Sequence, residues 1–103
     1  MNIIFSEKSF YEYTEWQTKD KKIVKKINEL IKDIQRNGML KGIGQAELLK
    51  HSLTGYCSRR INEEHRLVYA MDTNNNLVII KCKEHYGAWS KGDGSFCLFF
   101  FKS

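Results

Sequence analysis

The spacing of apolar positions along this chain changes from helical to strand-like about halfway. Residues 2–5 (NIIF) are a short apolar run that reads as a first strand. Ser6 follows as a helix cap, with Glu7 well placed in the first turn. Phe10, Tyr13 and Trp16 then recur every third residue, which puts them on one side of a first helix. Asp20 opens a second helix, in which Ile23, Ile27, Leu30, Ile31 and Ile34 form an apolar stripe. Asn37-Gly38 supplies its stop, and residues 39–45, with Gly42 and Gly44, read as a loop.

Strand patterning takes over beyond the loop. Residues 55–61 (GYCSRRI), 65–71 (HRLVYAM) and 77–86 (LVIIKCKEHY) are three strand candidates. They are separated by short connections rich in Asn, Asp and Glu, as in an antiparallel meander. The order of elements predicts an α+β domain. In it an N-terminal strand and two helices accompany an antiparallel sheet of about four strands, with both helices packed on one sheet face. In the last strand Lys81, Lys83 and His85 share one side, with Val78, Ile80 and Cys82 on the other. Ser58 and Arg60 alternate with Cys57 and Ile61 in the same way. The face left open by the helices is therefore expected to be cationic. Pairing register is not legible, so the side that Arg66 shares with His85 stays open.

Composition narrows the function classes. A chain of 103 residues with 42% apolar content supports one domain with one modest core. No segment has the order of a signal peptide, and the apolar run at residues 96–101 is far too short to span a bilayer. The three cysteines, Cys57, Cys82 and Cys97, show no close pairing. That speaks against a disulfide framework or a zinc site and for a reducing, cytoplasmic setting, with no cofactor expected. Lys and Arg number 17 against 12 Asp and Glu, a net charge of +5. Such an excess suits a polyanionic partner, RNA or DNA, if charges and aromatics converge on a site. Most lysines of the second helix read instead as its solvated face.

Three stretches carry a family resemblance: IVKKINELIKDIQR, LKHSLTGYCSRRINEEHRLVY and the EHY that ends at Tyr86. Over residues 1–86 the chain resembles the YoeB family of toxins from bacterial toxin–antitoxin pairs, within the RelE-like superfamily. The resemblance implies a ribonuclease that cuts messenger RNA in the ribosomal A site and halts translation. It also implies a neutralising antitoxin of the YefM type, contact with mRNA and the 70S ribosome, and operator DNA binding only through the antitoxin complex. A homodimer and no membrane association are expected. The competing reading is a RelE-like binding module that engages antitoxin or RNA without cleaving it.

RNA cleavage without a metal uses the substrate's 2′-hydroxyl as nucleophile. It needs a base, an acid for the departing 5′-oxygen, and cations for the charge that builds on the phosphate. By resemblance Glu47 matches the general base, His85 the general acid and Arg66 the transition-state stabiliser. Tyr86 matches a tyrosine that holds the substrate, and stacking on a base would suit it. Lys50 and Arg60 match phosphate-binding positions, with Arg59 and Lys83 as further substrate-binding candidates. Taken alone, Glu47 reads as a surface carboxylate paired with Lys50. Arg66 could pair with Glu63 or Glu64, and His85 could be a strand-end histidine. His51 and His65 read as structural or surface residues, and Trp16 and Tyr13 as core or subunit contacts.

Two departures from the family pattern stand out. Ala46 and Leu48 replace the prolines that commonly flank the glutamate, which should loosen the loop that aims Glu47. Residues 87–103 extend past the point where family members usually stop, either as an extra edge strand or as a disordered tail, and they begin at the rim of the expected site.

Overall fold

The computed structural model describes residues 1–84. His85, Tyr86 and the extension at residues 87–103 lie outside the described residues. The elements are β1 (Ile3–Phe5), α1 (Glu7–Lys19), α2 (Lys21–Asn37), β2 (Glu47–Leu48), a single 3₁₀ turn (His51–Leu53), β3 (Cys57–Arg60), β4 (Arg66–Met71) and β5 (Leu77–Lys81). Ser6 caps α1 by accepting a hydrogen bond from the Ser9 amide. Asp20 ends α1 and starts α2, its carboxylate accepting from the Lys22 amide. Gly38, at φ 95°, closes α2 in a conformation that glycine adopts without penalty.

The sheet has five strands in the order β1-β5-β4-β3-β2. The expected meander is present as β3, β4 and β5. Two features differ from expectation. β1 pairs in parallel with β5, Ile3 opposite Leu77, so the sheet is mixed. The fifth strand is the two-residue β2, which lies against Cys57 and Ser58 and is too short to show an alternation of its own.

One core fills the space between helices and sheet: Ile23, Ile27, Leu30 and Ile34 of α2 meet Cys57, Leu67, Tyr69, Leu77 and Ile79. On the opposite sheet face a smaller cluster joins Leu49 and Leu53 to Val68 and Ile80. This arrangement corrects the expected placement of the last strand. Lys81 does not stand on an open cationic face; it is fully buried, its ammonium 3.2 Å from the Glu12 carboxylate of α1. Val78 and Ile80 lie on the face away from the helices, but Cys82, expected beside them, joins the main core, because the β4–β5 pairing is irregular at Val68/Tyr69 and interrupts the alternation of β5. A buried lysine is tolerable because a buried carboxylate is beside it. The inner side of α1 is likewise polar, with Ser9, Glu12 and Trp16 buried, while Phe10 remains exposed. Among the described residues no helix is long and apolar enough to cross a membrane.

Candidate active site

Glu47 enters the sheet opposite Ser58, and Arg66 begins β4 opposite Arg60. Arg66 and Ser58 share the sheet face away from the helices, and their side chains meet there. The Arg66 Nε–H donates to Ser58 Oγ at 3.0 Å, and a terminal nitrogen donates to the Gln45 carbonyl at 3.3 Å. The same terminal nitrogen lies 3.6 Å from Glu47 Oε1. Arg66 is 7% exposed, whereas the Glu47 side chain is 46% exposed. A guanidinium fixed along one edge thus lies beside a carboxylate that reaches solvent. The first can meet a phosphate and the second can take a proton from a substrate hydroxyl.

The loop that carries Glu47 is held from beneath. Arg59 is fully buried, and all five of its N–H donors are used inside the protein. They go to Tyr69 Oη, the Asp33 carboxylate, and the carbonyls of Gly38, Lys41 and Ile43. Asp33 also accepts from the Ile43 amide and from Asn37. A Cβ at Gly42 would meet the Asp33 carboxylate at 1.8 Å, so this approach requires glycine. The Arg60 amide donates to Gly44 O at 2.6 Å and the Leu49 amide to Tyr56 O at 2.9 Å, bracketing Glu47. These anchors fix the chain on either side of Ala46 and Leu48.

Burial would push the Asp33 carboxyl up, but the donors from Arg59, Ile43 and Asn37 outweigh it and hold it below its ordinary value. A carboxyl depressed in the folded state stabilises fully above its unfolded pKa, about 3.9, and loses that contribution as pH falls through the folded value. We expect Asp33→Asn to be less stable than the parent at neutral pH. The difference should shrink below about pH 4, as read by urea unfolding across pH. An undiminished gap at low pH would contradict the assignment.

Two expected site residues, Arg59 and Lys83, are engaged elsewhere. Arg59 is not available to a substrate, because its charge and every donor are committed to the interior; it is a scaffold residue. Lys83 lies 3.6 Å from Glu15 of α1. Lys50 and Arg60 are exposed, Arg60 directly opposite Arg66 across the β3–β4 ladder. His65 is buried against Trp16, as a structural histidine. The groove between α1 and α2, which includes Lys21, Lys25 and Lys32, contains none of these groups. Two contributors escaped sequence reading. Nothing marks Ser58 as the anchor of Arg66. Asp33 did leave a signal, since a charged residue lies between Leu30 and Ile34 on the apolar stripe of α2.

Known proteins resemble this chain in sequence and in fold. The family model for the YoeB-like toxin of bacterial type II toxin–antitoxin systems matches residues 5–86. Toxin YoeB of Escherichia coli K12 is 56% identical over 86 residues, 84% of this chain and 100% of that protein. The toxin in the heterotetrameric YoeB–YefM toxin–antitoxin complex of Staphylococcus aureus superposes with a TM-score of 0.77 at 59% identity, covering 84% of this chain and 98% of that one. The YoeB dimer of the same organism gives a TM-score of 0.78 at 59% identity with the same coverage. A YafQ mutant of E. coli, at 17% identity and a TM-score of 0.69 over 85% of this chain and 97% of that one, shares the fold. On this evidence the chain belongs to the YoeB-like toxin family of bacterial type II toxin–antitoxin systems.

Proposed function

We propose that the chain is an endoribonuclease toxin that cuts messenger RNA in the ribosomal A site by a metal-independent route. The observation that carries this reading is the pairing of Glu47 with an Arg66 anchored on Ser58, within a member of this family. Glu47 takes the proton from the 2′-hydroxyl as the 2′-oxygen bonds to phosphorus. The bond from phosphorus to the 5′-oxygen breaks, and His85 gives the departing oxygen its proton. The products are a 2′,3′-cyclic phosphate and a 5′-hydroxyl. Arg66 offsets the charge that accumulates on the phosphate oxygens. Lys50 and Arg60, both exposed, bind flanking phosphates, and Tyr86 holds a base by stacking.

The domain that does this spans residues 1–86, with residues 87–103 an appendage to it. The partner that silences it is an antitoxin of the YefM type, through which operator DNA is reached. The working form is a cytoplasmic homodimer on the 70S ribosome. Two observations favour the antitoxin and the dimer: relatives at 59% identity form a YoeB–YefM complex and a YoeB dimer. The test is cleavage of a defined mRNA with and without programmed ribosomes, by the full chain and by a chain ending at Tyr86. Ribosome-dependent cuts and growth arrest are expected. Intact RNA with retained antitoxin binding would identify a binding module instead.

A further inference from the structure

Glu84, the last described residue before His85, is gripped by two consecutive residues, His65 just ahead of β4 and Arg66 at its start. Its backbone N–H donates to His65 Nδ1 at 2.7 Å, and its carbonyl accepts from the Arg66 amide at 3.1 Å. Glu84 has φ 67°, the left-handed region that non-glycine residues seldom occupy. Such a backbone persists when its surroundings impose it. Here both of its polar groups are fixed from outside. The segment leading to it is held as well: the Cys82 amide donates to Glu12, and the Cys82 carbonyl accepts from Trp16 Nε1.

His65 is itself tightly placed. It is 7% exposed, its ring meets Trp16 edge-on at 4.8 Å, and its own amide donates to Asn62 Oδ1 at 2.7 Å. A backbone N–H can only donate, so Nδ1 must present its lone pair and the ring proton sits on Nε2. Nε2 in turn lies 3.9 Å from Glu64 Oε1. The residue after His65 is Arg66, whose side chain faces Glu47 while its amide holds Glu84. The two residues at the entry to β4 therefore position the cationic side of the site and fix the backbone at Glu84.

We propose that His65 is a positioning residue for cleavage: by accepting the Glu84 N–H it fixes the backbone of the residue that immediately precedes the proposed acid, His85. This inference rests on the reading of His85 as general acid. His65→Phe keeps a ring against Trp16 but removes the acceptor. His65→Asn places an oxygen near the position of Nδ1, and His65→Gln places its polar end near Nε2 instead.

The measurement is single-turnover cleavage on programmed ribosomes, with normal RNA and with RNA whose scissile 5′-oxygen is replaced by sulfur. A thiolate leaves without being protonated, so loss of the acid ceases to matter on that substrate. On normal RNA His65→Phe should be about 10- to 100-fold slower at saturating ribosomes, as expected for a displaced catalytic group. Its apparent KM should change by no more than about twofold, and His65→Asn should recover most of the rate. On the sulfur substrate the defects of both His65→Phe and His85→Gln should largely vanish. If His65→Phe does not fold, an active His65→Asn beside a slow His65→Gln supports the proposal, and equal activity of the two overturns it. Full activity of His65→Phe, or a defect that persists on the sulfur substrate while His85→Gln is rescued, overturns the positioning role alone. A His85→Gln variant equally slow on both substrates overturns the general-acid reading.

Discussion

Glu47→Gln should slow RNA cleavage by about 10²–10⁴-fold, the usual contribution of a positioned acid or base, and leave the fold intact. Glutamine keeps the size of the side chain and removes its ability to take a proton. The structural cost should be small, because the carboxylate is half exposed on a two-residue edge strand. Its ion pair with Arg66 is open to solvent on one side, and such a pair contributes about 0–1 kcal/mol. Thermal unfolding of the variant should therefore superpose on that of the parent while its rate collapses. Undiminished cleavage would remove Glu47 from the mechanism, and an equal loss of stability would make its role structural.

Arg59→Met should destabilise the protein by about 3–5 kcal/mol, the range for breaking a buried pair by removing one partner. Methionine fills part of the volume but leaves Asp33 charged and three carbonyls without the donors they now have. Tyr69 loses a partner too, although its hydroxyl still donates to Met39 O at 2.6 Å. The lost bonds are those that tie the loop between α2 and β2 to the sheet. Cleavage by the folded fraction should therefore fall along with stability. Equilibrium unfolding in urea is the measurement, and a loss under about 1 kcal/mol would mean that the network is dispensable. Arg59→Lys should recover little, since one ammonium cannot reproduce five donors in a planar fork.

The contrast between Arg59 and Arg60 shows how far the sequence could be read. Alternation says that the two side chains take opposite faces; it does not say which face the helices cover. Polarity was a poor guide to that choice, since Arg59 and Lys81 both point inward to carboxylates, Asp33 and Glu12. The same ambiguity put the lysine side of β5 in solvent, when Val78 and Ile80 belong to the outer apolar cluster. By contrast, the stripe of α2 and the β3–β4–β5 meander were legible, because their signals are local. The parallel pairing of β1 with β5 was not, since Ile3 and Leu77 are far apart in sequence.

The candidate site was legible mainly through family resemblance. Glu47 and Arg66 carry no local mark of catalysis, yet the structure puts them 3.6 Å apart. What the resemblance did not carry is the support beneath them. Ser58, Gln45 and the buried Arg59–Asp33 network depend on register and loop path. His65 read as a structural or surface residue; its contact with Glu84 gives that structural role a connection to the site.

The most direct test of the central claim is the chemistry of the cut ends. Messenger RNA cleaved on ribosomes by the full chain would be recovered and its termini identified by mass spectrometry. Attack by the 2′-hydroxyl predicts a 2′,3′-cyclic phosphate, or the 3′-phosphate formed from it, and a 5′-hydroxyl, with the signal lost in Glu47→Gln. A 5′-phosphate with a 3′-hydroxyl, or no cleavage by the parent chain, would contradict it.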